Sequence, residues 1–90
     1  MSTISPLENL QRISQDLSNI EKKINNPNLK IDPVEVISQL KGMSGQLFFI
    51  GKQLENTKYE RSFNKVDTIW ANCFHKVEMI QAVQITNKNN

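Results

Sequence analysis

The sequence predicts an all-α protein, a small three-helix bundle that runs up, down and up with coiled-coil-like seams. In three stretches apolar residues recur at alternating steps of three and four, the spacing of one helix face. Each stretch is preceded by a Ser, Asp or Thr that lies three residues before a Glu, a pattern typical of helix N-termini. We expect one domain over residues 1–90, with helices at about 6–25, 33–55 and 58–85 and a frayed tail at 86–90.

The first helix is predicted to start at "SPLE", from Ser5 to Glu8. A serine at the N-cap accepts a free N–H of the first turn, and proline is well tolerated at the first helical position. Pro27 disfavours helix in the residue before it and so predicts the end of this helix. The seam between them is formed by Leu10, Ile13, Leu17, Ile20 and Ile24.

The second helix is predicted to start at "DPVE", where Asp32 caps the helix and Pro33 occupies its first position. Ser44 and Gly51 lie beside its apolar stripe, so a neighbouring helix is expected to approach closely there. The stripe consists of Val36, Leu40, Met43, Leu47, Ile50 and Leu54, widened by Ile37 and Phe48.

The third helix is predicted to follow "TKYE", from Thr57 to Glu60. Leu54 and Tyr59 are five residues apart, so the second and third seams do not join in phase, which favours a break near Asn56 over one long helix. This helix has the broadest apolar face and most of the aromatic residues, and we expect it to supply the core. Its seam is Tyr59, Phe63, Val66, Trp70, Cys73, Val77 and Ile80, broadened by Ile69 and Phe74.

Composition points to an ordinary globular chain, with 38% hydrophobic and 22% charged residues. Eleven basic and nine acidic residues are mixed along it, so no nucleic-acid partner is expected. The longest uninterrupted apolar run, Leu47 to Ile50, is too short to span a bilayer, so no membrane is expected either. No signal peptide is expected from the N-terminal residues. The single cysteine, Cys73, cannot form an internal disulfide, and a reducing cytoplasm is the expected location.

Residue types alone would suggest a nucleophile and base, or two metal ligands, in Cys73 and His75. Two positions apart on a helix, they point about 200° from each other, so they should lie on different faces. Cys73 falls in the apolar seam, where a free cysteine behaves as a small buried hydrophobe. No catalytic residue, metal site or cofactor is therefore expected, and we do not expect an enzyme.

Candidate partner-binding residues are those on the faces opposite the seams. Phe49 lies opposite the stripe of the second helix and shares that side with Gly42 and Gly45. On the third helix, His75 and Met79 belong to a mild strip that also contains Ala71 and Ala82. These strips favour a partner or self-association surface, although a crossing helix of the bundle could instead cover either one.

The segment "INNPNLKIDPVEVISQL", Ile24 to Leu40, resembles the turn of type III secretion needle and inner-rod subunits. The resemblance covers about a fifth of the chain and rests on Pro27, Asn28, Leu29, Asp32, Pro33 and Gln39. It implies a helical hairpin that assembles into a polymer. The chain departs from that pattern because a third, aromatic-rich helix follows.

The predicted function is that of a non-catalytic helical protein–protein interaction module: an adaptor, assembly chaperone or inhibitor of a protein partner that also self-associates. Three amphipathic seams and surplus apolar surface in a small bundle motivate it. The alternative is a structural subunit of a helical polymer, such as a type III secretion needle or inner rod.

Overall fold

The computed structural model describes residues 5–88, with side chains to Ile85. Three helices occupy it: α1 (Pro6–Asn25), α2 (Pro33–Leu54) and α3 (Glu60–Lys88), and no strand occurs in this range. Every pair of helices is in contact. The predicted all-α three-helix bundle is therefore confirmed.

The starts of α1 and α2 are held by the predicted caps. The Leu7 N–H donates to the Ser5 hydroxyl at 3.2 Å. The Asp32 carboxylate accepts from the N–H groups of Val34 at 3.0 Å and Glu35 at 3.4 Å. These bonds satisfy donors for which the first helical turn offers no acceptor, so the two helix starts are encoded locally.

The turn between α2 and α3 is held by a small hydrogen-bond network. Asn56 has a positive φ of 65°, a conformation that asparagine tolerates better than most residues. Its N–H donates to Glu60 Oε2 at 2.9 Å, while Thr57 Oγ1 donates to the Leu54 carbonyl at 2.6 Å. Because Glu60 bonds to Asn56 rather than to Thr57, the turn runs longer than a capping box at Thr57 would allow.

The helix ends differ slightly from the expected ones. α2 ends at Leu54 rather than 55, and α3 begins at Glu60 rather than 58. The first helical bond at that start runs from the Phe63 N–H to the Tyr59 carbonyl. α3 extends to Lys88, three residues past the expected end at 85, and residues 89 and 90 of the predicted tail lie outside the described range.

The core is filled differently by the three helices. α1 contributes four large aliphatic side chains. The buried residues among the described side chains of α3 are small, and Phe63, Trp70 and Phe74 lie half-buried along one flank. The expectation that the third helix supplies the core was therefore too strong, because the largest of its seam residues cover the core instead of filling it. The buried set is Leu10, Ile13, Leu17, Ile20, Val36, Leu40, Leu47, Ile50, Leu54, Val66, Cys73 and Val77.

Two specific contacts join α3 to α2. A Cβ atom built on Gly51 would lie 2.7 Å from Cζ of Phe63, so the ring occupies the space that a side chain at position 51 would need. About two turns beyond Phe63 on α3, the Trp70 indole N–H donates to the Leu40 carbonyl at 2.7 Å. Ser44 lines the same groove. The expected close approach is observed at Gly51, whereas Ser44 is exposed on the wall of the groove.

Candidate protein-interaction surfaces

Two adjacent phenylalanines on α2 are turned towards solvent. Phe48 is 64% exposed and Phe49 is 72% exposed. Their rings meet edge to face, with centroids 6.2 Å apart and planes at 79°. The Lys52 ammonium lies 5.7 Å from the Phe48 ring centroid, within the range of a cation–π contact. We call Phe48, Phe49 and Lys52 the α2 aromatic surface.

A groove between α2 and α3 opens beside Phe48 and has a volume of about 430 Å³. Its apolar lining includes Gly51, Phe63 and Trp70. The absent side chain at Gly51 and the ring of Phe63 shape its floor. Charged side chains also line it, namely Lys52, Glu55, Glu60 and Asp67. An apolar side chain of another molecule would therefore find an aromatic pocket with a polar rim here.

Gly42 and Gly45, the other predicted binding residues on α2, are exposed. A Cβ atom at either position would meet nothing within 4 Å. They lie on the outer side of the helix with Phe49, so neither is needed for packing inside the bundle. The structure therefore leaves that side of α2 open.

His75 and Met79, the predicted binding residues on α3, are also exposed. They lie on the side of α3 that faces away from Cys73 and Val77. Because the outer sides of two helices in a three-helix bundle point in different directions, Phe49 and His75 do not belong to one surface. The predicted strips are thus two separate faces of the molecule.

Three exposed residues were missed by sequence reasoning. Phe48 was assigned to the apolar stripe of its helix, but it lies at the edge of that stripe, where the groove leaves its ring uncovered. Val83 and Ile85 on α3 are 58% and 53% exposed, which is similar to the 57% exposure of Met79. Among the described side chains of α3, Val77 is the last that is buried. The predicted seam ends at Ile80, and that end was the available sign that apolar residues further along the helix are exposed.

Cys73 and His75 occupy different environments. The Cys73 side chain is buried, and burial raises the pKa of its thiol, with the Glu21 carboxylate adding to the rise and Lys76 opposing it. A raised pKa disfavours the thiolate, the nucleophilic form. His75 faces solvent. Among the described side chains, no group of three His, Cys, Asp or Glu residues is arranged to hold a metal ion.

Comparisons of the chain with protein-family models, with curated proteins and with solved structures give no match. Within the described residues, none of the helices is long and apolar enough to cross a bilayer. The observations that bear on function are therefore the exposed faces of α2 and α3.

Proposed function

We propose that the protein is a non-catalytic interaction module that captures a protein partner through the α2 aromatic surface. The observation that carries the proposal is the solvent exposure of two adjacent phenylalanine rings, Phe48 and Phe49. Scattered exposed hydrophobic residues are common, but contiguous apolar patches on small soluble domains often mark binding sites. Aromatic anchors are also the residues that carry most of the energy in protein interfaces.

The groove beside Phe48 supports the same proposal. Phe63 and Trp70 offer an apolar lining, and Lys52 and Glu55 add opposite charges beside it. A partner helix that lies across α2 would insert an apolar side chain into the groove and cover Phe49 with the next turn. This arrangement gives a buried centre with a polar rim, which is the usual anatomy of a protein interface.

The non-catalytic part of the proposal is supported by the separation of Cys73 and His75. The thiol is buried with a raised pKa, whereas the imidazole is exposed. Adaptor, assembly chaperone and inhibitor are all roles that need capture without chemistry. A reducing cytoplasm belongs to the proposal, and a single buried free thiol is compatible with it.

The test compares capture by matched variants. The double variant Phe48→Ser with Phe49→Ser removes both rings. The control, Val34→Ser, removes an exposed apolar side chain of α2 that lies roughly 20 Å away along the helix. Each protein is used as bait in an extract of the native host, and the captured protein is then purified and titrated against all three. We expect wild type and Val34→Ser to bind it equally and the double variant to bind at least about 30-fold more weakly.

Thermal melts of the three proteins keep the result interpretable. Because both rings are exposed, the double variant should melt close to wild type. Equal binding by all three proteins would contradict the proposal. A large loss of stability in the double variant would assign the rings to the fold instead.

A further inference from the structure

The exposed face of α3 is bordered by charges of opposite sign. Glu60, Asp67 and Glu78 are spaced 7 and 11 residues apart, which brings them to one side of the helix, the acidic edge. The basic edge contains Arg61, Lys65 and Lys76, spaced 4 and 11 residues apart. At about 100° per residue, the two edges are separated by about 140° around the helix.

Between the edges lies a strip of exposed residues, with Thr68, His75 and Met79 along its centre. Towards the end of α3, Val83 lies on the same side of the helix as the basic edge, and Ile85 lies on the same side as the acidic edge. The outer face of α3 thus has oppositely charged flanks like those of a coiled-coil helix. Its central strip combines the apolar Met79 with the polar Thr68 and His75, and these residues are exposed.

We propose that this face pairs with a second copy of the chain, α3 against α3, in a parallel dimer with a twofold axis along the helices. Such an axis brings the acidic edge of each copy opposite the basic edge of the other, so the favourable pairing occurs twice. The acidic and basic edge residues also lie at similar positions along the helix axis. Glu60 and Arg61, Asp67 and Lys65, and Glu78 and Lys76 are at most two positions apart, or about 3 Å along the axis.

An antiparallel pairing on the same face is disfavoured by the same charges. A twofold axis perpendicular to α3 would put acidic edge against acidic edge and basic edge against basic edge. Like charges that face each other across the interface repel, which disfavours the antiparallel arrangement. The charge pattern therefore selects both the partner and its direction.

The edge residues are available for this pairing. None of the six forms an ion pair with another side chain in the described range. Glu60 accepts the Asn56 N–H, which leaves its second carboxylate oxygen for a partner. The dimer also covers apolar surface, because Met79 lies near the axis and Val83 of one copy faces Ile85 of the other.

This inference goes beyond the proposed partner capture and does not depend on it. The residues of the α2 aromatic surface are not among those that form the dimer, although Glu60 and Asp67 of the acidic edge line the groove beside Phe48. Phe48→Ser with Phe49→Ser should consequently leave the dimer unchanged, so the two proposals can fail separately.

The first experiment swaps the charges. One variant carries Asp67→Lys and Glu78→Lys, and the other carries Lys65→Glu and Lys76→Glu; Glu60 is kept because it holds the turn. Sedimentation equilibrium at low salt should show dimerisation of wild type and at least about tenfold weaker dimerisation of each variant alone. An equimolar mixture of the two variants should recover a dimer, since one then has two basic edges and the other two acidic edges.

The recovery step protects against misfolding, because a variant that simply fails to fold is not rescued by its complement. Wild type that stays monomeric, or variants that dimerise as well as wild type, would overturn the inference. Open-ended growth with concentration would also overturn the closed dimer and would favour the polymer subunit.

The second experiment tests direction. The Thr68 hydroxyl bonds to the Asn64 carbonyl of its own helix, so the residue can be replaced with little cost. In a parallel dimer Thr68→Cys lies next to its own copy, and mild oxidation should link the two chains. Gln53→Cys, exposed on α2, is the matched control and should not cross-link. Equal cross-linking of both variants, or none at position 68, would rule out the parallel arrangement.

Discussion

α1 and α3 both pack against α2, but they do so with different side chains. α1 buries four large aliphatic residues almost completely. Among the described side chains of α3 only Val66, Cys73 and Val77 are buried, and its large aromatic residues cover the core from one flank. Small residues at the centre of a helix contact let two backbones approach, and larger residues beside them close the seam.

The difference matters for how each contact responds to change. An aliphatic seam is built from residues that can replace one another if total volume is kept. The contact of α3 with α2 instead depends on particular pairs, such as Phe63 on Gly51 and the Trp70 indole on the Leu40 carbonyl. We therefore expect α3 to be the less tolerant partner of α2.

The largest expected effect is at Trp70. Trp70→Ala removes a half-buried ring that stacks on Phe74 with centroids 5.3 Å apart, and it should destabilise the fold by about 3 kcal/mol. Trp70→Phe keeps most of the apolar area but loses the bond to Leu40, so about 1 kcal/mol is expected. Urea unfolding gives both values. A Trp70→Ala protein as stable as wild type would show that the ring contributes to binding rather than to packing.

A smaller effect of the same kind is expected at Gly51. Gly51→Ala forces the Phe63 ring to move, which should cost about 1 to 2 kcal/mol even though alanine favours helix. Gly45→Ala is the matched control on the same helix, where a Cβ atom meets open space, and it should stabilise the fold by up to about 1 kcal/mol. A lower urea midpoint for Gly51→Ala and a higher one for Gly45→Ala would confirm that only Gly51 is packed against α3. Shifts of the same sign in both variants would contradict this.

The smallest effect is expected in the contact made by α1. Leu17 is fully buried, and Leu17→Met conserves its volume, so the cost should stay below about 1.5 kcal/mol. Thermal or urea unfolding measures it directly. If this swap cost as much as Trp70→Ala, α1 would be no more tolerant than α3, and the contrast between the two helices would be lost.

Much of the fold was predictable because its signals are local. The caps at Ser5 and Asp32 and the break near Asn56 depend on a few neighbouring residues, and the structure shows all three. The burial of the α1 seam followed from its spacing. The close approach at Gly51 was also expected, since a stripe next to a missing side chain invites a neighbour.

The rest depends on how helices are arranged around one another. Whether Phe48 is covered is decided by where α3 crosses α2, and helix spacing alone does not fix that crossing. The same reasoning explains why Phe49 and His75 were grouped as one kind of site although they lie on separate faces. Charge edges become visible only after the buried side of α3 is known. The partner of the α2 aromatic surface is set by another molecule's surface, which no periodicity in this chain records.

The length of α3 has a consequence for local stability. α3 has 29 residues, against 20 in α1 and 22 in α2, and Val77 is the last buried residue among its described side chains. Amide protons beyond that point are held by helical bonds with little buried surface to support them, so they should exchange with deuterium through local opening. Those around Val66 and Cys73 should exchange only when the whole domain unfolds. The stretch that carries Met79, Val83 and Ile85 is thus where binding of a second chain would slow exchange the most.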